Sequence, residues 1–218
     1  MAFIIPSYVA GAIRNYSDLI EELRDMLDDE TYEQSKLDRA IRKAEAMFNR
    51  ELRTPQMETR VEITAASEIV TLPEDFLSMR GLFISGQPER QFVSMSPASV
   101  TGGYSGIAGT PGAYAIEGET LRVAPVGTAA LVMNYYARIP ALSEAIATNW
   151  LLEDHPDVYV SGAMYYLARR ERDAEGMAQA SSEVSEMLAS INSVGMRNRW
   201  GAGPLVPSGM QQVRGVRA

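Results

Sequence analysis

The chain has 218 residues, of which 46% are hydrophobic and 22% charged. That balance supports one globular domain or two small ones, burying roughly 70% of the unfolded surface. It holds no cysteine and one histidine, His155, which excludes disulfide scaffolds, thiolate zinc sites, cysteine nucleophiles and multi-histidine metal centres. The net charge of −8 argues against non-specific nucleic-acid binding over the whole surface.

No apolar run approaches the ~20 residues of a membrane span. The opening stretch, a short apolar patch broken by Pro6 with no preceding basic residue, makes a poor signal peptide. A cytoplasmic product is expected, with its N-terminal arm packed on other structure.

The first helical signal follows Ser17, a capping residue, with Asp18, Glu21 and Glu22 where the helix dipole favours carboxylates. Leu19, Leu23, Met26 and Leu27 share a face with Ile20 beside them, and the helix is expected to end near Asp28. Thr31 and Gln34 have capping-box spacing for a second helix. Its stripe is Leu37, Ile41, Ala44 and Phe48, its remaining positions carry Lys36, Arg39, Arg42, Lys43 and Arg50, and Pro55 stops it.

From about residue 58 the period changes to two. Val61 and Ile63 alternate with Glu62 and Thr64, and residues 68–72 and 82–84 read as further strands. Tyr114, Ile116, Leu121 and Val123 flank Glu117-Gly118-Glu119, a hairpin turn. Residues 131–136 are the strongest strand, rich in β-branched and aromatic types. The segment TGGYSGIAGTPG, with glycine at every third residue from Gly103 to Gly112, is expected to be a loop.

Helical period returns after Pro140. Pro156 suits a first helical turn, capped by Asp154 or His155. Residues 157–168 are apolar on nearly every side, which predicts a buried helix. The last helix starts near Asp173, carries Met177, Ala180, Val184, Met187 or Leu188, Ile191 and Val194 as its stripe, and is expected to stop at Gly195. The tail, residues 196–218, has four arginines and no acid, together with glycines and prolines that forbid a regular element. Its apolar anchors are those of an arm that takes its order from a partner surface.

The expected fold is α+β: a helical bundle built from N- and C-terminal helical hairpins, with an inserted antiparallel β-rich region and an extended C-terminal arm. The units are an N-terminal arm (1–16), a hairpin (17–55), the β-rich insertion (56–148), a second hairpin packing on the first (149–195) and the partner-binding arm (196–218). Neither helical pair has a second layer of its own against which to bury its stripe.

Candidate chemistry is sparse. His155, flanked by Asp154 and Asp157, has the composition of a general base, but a helix start, with Asp154 or His155 as cap, is the favoured reading. No serine sits in a G-x-S-x-G elbow. Asp28-Asp29-Glu30 lacks the spacing of a calcium loop and suits a solvated turn. The glycine segment has no G-K-[ST] and so is not a phosphate loop. Tyr135-Tyr136 and Tyr165-Tyr166 fit core packing better than stacking on sugars or bases. No catalytic, metal or cofactor site is expected. The residues assigned to a partner are Arg197, Arg199, Trp200, Leu205, Val206, Arg214 and Arg217.

Several stretches carry a resemblance. Residues 109–125 (GTPGAYAIEGETLRVAP) resemble the GxPxxYxIxGxxLxxxP hairpin of tailed-phage head–tail adaptor, or connector, proteins. Residues 135–143 (YYARIPALS) resemble the YYxxIPxLS segment that follows it there, and residues 149–159 (NWLLEDHPDVY) its NWLLxxHPDLYL helix start. Residues 16–20 and 44–54 are similar to the family's first helices, and the likeness runs in order over about residues 16–195.

The resemblance implies a structural virion protein at the neck and not an enzyme. It implies a homo-oligomeric ring, usually of twelve copies, that docks on the portal protein through a C-terminal extension. Such a ring carries tail or nozzle proteins and passes genomic DNA without sequence-specific binding; an acidic lumen would not hold the phosphates. The classes set against this reading are another tail or head-completion component and, from a different class, a carbohydrate-binding module or hydrolase.

Overall fold

The computed structural model describes residues 13–104 and 106–200. Helix α1 spans Tyr16–Met26 and is capped by Asn15, whose side chain accepts from the Asp18 amide at 3.0 Å. The expected cap was Ser17; Asn15 serves because the helix begins two residues earlier. Tyr16, Leu19, Ile20 and Leu23 are its buried residues, while Met26 is 54% exposed. The apolar face is therefore centred on Leu19 and Leu23 and stops short of Met26.

Helix α2 spans Gln34–Glu51. The expected capping box does not form. The Thr31 amide and hydroxyl both donate to Asp29 Oδ1, at 2.9 and 2.8 Å, so Thr31 closes the preceding turn and Glu33 takes the cap position without a side-chain bond. The expected stripe is the buried one: Leu37, Ile41, Ala44 and Phe48 are at most 1% exposed.

A 3-10 turn (Pro55–Met57) leads into the β region: β1 (Glu58–Ala65), β2 (Ile69–Thr71), β3 (Phe76–Ile84), β4 (Gln87–Gln91), β5 (Val93–Ser94), α3 (Pro97–Tyr104), β6 (Ala113–Glu117), β7 (Thr120–Ala124) and β8 (Ala129–Ala137). The strands form two four-stranded sheets, ordered β1-β8-β3-β4 and β2-β7-β6-β5. All pairings are antiparallel except β5 with β6, which run parallel. The β6–β7 turn is the expected one, and Gly118 adopts φ 59°, a value that favours glycine. The expected glycine loop is helical in its first part. The Ser99 amide donates to Ser96 Oγ at 3.2 Å, Pro97 opens the helix, and Val100 is buried against Ala115 and Ala124.

Three helices follow: α4 (Trp150–Asp154), α5 (Pro156–Glu171) and α6 (Ala174–Trp200). Asn149 caps α4, accepting from the Leu152 amide at 2.9 Å. His155 holds the cap position of α5 without a side-chain bond, and Pro156 sits in the first turn. Helix α5 is in contact with α1, α2, α4 and α6, which is why it is apolar on so many sides. It meets α2 closely: a Cβ on Gly162 would lie 2.7 Å from Phe48 Cζ and 3.1 Å from Ala44 Cβ. The Phe48 ring also packs edge-on against Tyr159 at 5.2 Å.

Among the described residues one apolar core lies among the helices, a second lies in the β region and a small third cluster joins α3 to β6 and β7; β8 touches the first two. Its side chains alternate faces, so Tyr136 belongs to the helical core and Tyr135 to the sheet core. The connection from β8 to α4 is hydrogen-bonded to α2. The Ile139 amide donates to Asn49 Oδ1 at 2.9 Å and the Leu142 amide to Glu45 Oε1 at 2.7 Å. Asn149 Nδ2 donates to the Pro140 carbonyl and to the Tyr159 hydroxyl, both at 2.7 Å, and Tyr159 in turn lies 3.5 Å from Glu45 Oε1.

Burial raises the Glu45 carboxyl to about 7, against partial relief from the Leu142 amide and the Tyr159 hydroxyl. The folded chain thus holds a proton there that the unfolded chain has lost. Folding stability should fall by roughly 2–3 kcal/mol as pH rises from about 4.5 through 7. Glu45→Gln keeps an acceptor for Leu142 and should flatten that slope, as urea melts at pH 5 and pH 8 will read. Gly162→Ala should cost about 1–3 kcal/mol by overpacking, and the cost should shrink in a Phe48→Leu background, where calorimetry of the four chains measures the coupling.

Candidate functional site

The partner-binding residues named from sequence divide into two sets. Leu205, Val206, Arg214 and Arg217 lie outside the described residues. Arg197, Arg199 and Trp200 fall within α6, which corrects the expected helix stop. Gly195 is not a cap. It lies inside the helix, buried where α6 crosses the 3-10 turn, and a Cβ there would approach Pro55 Cδ at 3.1 Å and Thr54 at 3.4 Å. The glycine serves close packing of two chain segments, and the helix runs on over residues 196–200. Residues 196–200 thus belong to the helix and not to an extended arm.

This end of α6 is held to the end of α2. Asn192 Oδ1 accepts from the Arg53 amide at 3.0 Å, and Asn192 Nδ2 donates to the Glu51 carbonyl at 2.9 Å. Those two groups lie at the C-terminal end of α2, where the helix ladder leaves carbonyls without internal partners. The root of the tail is thus fixed beside the junction between α2 and β1. Val194 and Met196 are exposed there at 43% and 54%, next to exposed Arg197. Val194 was expected in the buried stripe; the buried stripe ends at Ile191, and Val194 is exposed, lining a cavity with Asp157 and Val158 of α5. Adjacent apolar and cationic groups on a fixed helix end have the composition of a contact surface.

The remaining candidates resolve into structural roles. His155, Asp157 and Ser190 line one cavity of about 160 Å³ with Met187 and Ile191, yet no hydrogen bond joins the three side chains among the described residues, so no nucleophile–base–acid relay is assembled. Asp29 is engaged by Thr31, and Asp28 adopts φ 51° in the turn after α1. Among the described residues there is no group of three acidic or histidine side chains placed to hold a metal.

Tyr135 stacks on Phe76 at 5.6 Å and donates to Asp75 at 2.9 Å; burial, then that carboxylate, push its hydroxyl up to about 12. Tyr136 faces the guanidinium groups of Arg53 and Arg80 at 5.9 and 5.6 Å. Tyr165 and Tyr166 pack edge to face at 4.9 Å. Tyr135 and Tyr136 are core residues, with 3% and 7% exposure. No described helix is long and apolar enough to cross a membrane.

A comparison with curated proteins finds no match. The family model described as SU10 adaptor protein matches residues 14–208, beginning just before α1 and running past the end of α6. That span contains every described helix and both sheets, and it agrees with the resemblance carried by the hairpin at 109–125 and the helix start at 149–159: the chain belongs to the SU10 adaptor protein family.

Proposed function

We propose that this chain is a head–tail adaptor of a tailed-phage virion. In this reading it docks as a ring of twelve copies on the portal protein, carries tail or nozzle proteins, and lets genomic DNA pass through its lumen. The helices α1, α2, α5 and α6 form the body of the ring subunit, with the β region inserted between the two helical pairs. The observation that carries the reading is the family match over nearly the whole chain.

The tail supports it. It leaves the body from a helix end that is fixed to α2 by Asn192, so an arm gripping another protein transmits force into the core. Arg197, Arg199, Arg214 and Arg217 meet acidic groups on the portal, while Trp200, Leu205 and Val206 fill apolar recesses. Ordering an arm costs roughly 1–2 kcal/mol per residue in backbone entropy, so the contact must be extensive.

Deleting residues 201–218 should leave the thermal midpoint of the body within about 2 °C of the parent, since no described core residue is removed. The same deletion should abolish co-sedimentation with portal rings. Tailed, infectious particles assembled from the truncated chain would refute the assignment of the arm.

A further inference from the structure

The N-terminal half of α2 and the C-terminal half of α5 lie side by side and run antiparallel: Phe48 meets Tyr159 and Gly162, while Lys36 and Ala40 share a groove with Leu167 and Arg170. That groove is cationic. Lys36, Arg39 and Lys43 line it from α2, and Arg169 and Arg170 from α5, around the half-buried Tyr166. Five of the chain's 20 lysines and arginines thus sit in one groove of a protein with net charge −8.

Helix dipoles account for only part of this. Arg169 and Arg170 lie in the last turn of α5, where cations are favoured. Lys36 and Arg39 lie in the first turns of α2, where cations are disfavoured. Lys36 has Glu33 at 3.1 Å. Arg39, Lys43, Arg169 and Arg170 have no carboxylate within ion-pair distance among the described residues. Glu171, next in sequence, is engaged by the Tyr32 hydroxyl at 2.9 Å.

The opposite end of α5 has the opposite sign. Glu153, Asp154 and Asp157 are all exposed where α4 gives way to α5. At 1.5 Å per residue, Asp157 lies about 18 Å along the helix from Arg169. That exceeds ion-pair reach and the screening length of about 8–10 Å, so the acidic end cannot neutralise the groove of its own molecule.

We propose that the groove between α2 and α5 receives the Glu153, Asp154 and Asp157 end of a second copy of this chain. The contact is heterologous, groove to acidic end, and a contact of that kind propagates into a ring or a filament. Nucleic acid is the weaker occupant: the net charge repels it, and Tyr166 is already engaged by Lys43 at 5.9 Å and by Tyr165, leaving no open platform for a base. The proposal rests on the ring reading for its biological meaning, but its test needs only the purified chain.

Sedimentation at millimolar protein and low salt should show association that high salt reverses. Two variants report on the two halves: Arg39→Glu with Lys43→Glu and Arg170→Glu, and Asp154→Lys with Asp157→Lys. All five positions are exposed, and thermal melts confirm folding of each variant. Each alone should associate roughly tenfold or more weakly than the parent. Their equimolar mixture should recover association, because each carries the complement of the other at both contacts. A parent chain that stays monomeric, or a mixture that fails to recover, overturns the proposal. So does retardation of a short DNA duplex by the parent that the groove variant loses, which would assign the groove to nucleic acid. Failure of the full-length parent to dock on portal rings, with its self-association intact, would instead count against the adaptor reading alone.

Discussion

Phe48 of α2 packs over the bare backbone of Gly162 of α5, and much of the molecule's arrangement depends on that packing. Because position 162 lacks a Cβ, the Phe48 ring can occupy the space a methyl would fill. The two helices then approach closely enough for Tyr159 to reach the level of Glu45, 3.5 Å from its carboxylate oxygen. Glu45 and Asn49, one turn apart on α2, in turn hold the amides of Leu142 and Ile139. The segment leaving β8 is thereby tied to the helices, and with it the sheet whose central strand sends Tyr136 into the helical core.

Burying Glu45 is the cost of this arrangement. A carboxylate at 4% exposure loses its hydration, and one backbone amide with one tyrosine hydroxyl does not replace it in full. The amides it serves would otherwise be buried donors without acceptors, which is also costly. The carboxyl, raised to about 7 by its burial, accepts the first cost in order to avoid the second. An apolar residue at position 45 would remove the first penalty and expose the second.

Element types were legible in the sequence wherever burial imposes a period. Leu37, Ile41, Ala44 and Phe48 form a helical stripe because one face of α2 is covered, and the alternation in β1 follows from Val61 and Ile63 facing the sheet core. The hairpin at Gly118 was legible because its positive φ favours glycine. Three features were not. Thr31 and Gln34 have the spacing of a capping box, but spacing does not reveal that Asp29 captures Thr31 first. The glycines after Val100 disguised a short helix whose signal was Ser96-Pro97. Gly195 has the composition of a helix stop, while its role is steric and comes from Thr54 and Pro55, remote in sequence. The first two misses are local competitions that composition leaves equal, and only the third turns on a tertiary partner. The tail residues Leu205, Val206, Arg214 and Arg217 carry a compositional signal and no period.

The continuation of α6 past Gly195 changes the mechanics of the tail. An arm leaving at residue 196 would pivot at the surface of the 3-10 turn. A helix running to Trp200 instead projects its last residues about 7 Å further from that crossing. Asn192, bonded to both Arg53 and Glu51, prevents the projecting segment from rolling about its own axis. Rigid projection lowers the entropy lost when the end of the helix meets a partner, since its backbone is already ordered. Arg197 therefore stands on an ordered helix whose direction is set by Asn192 and by the crossing at Gly195.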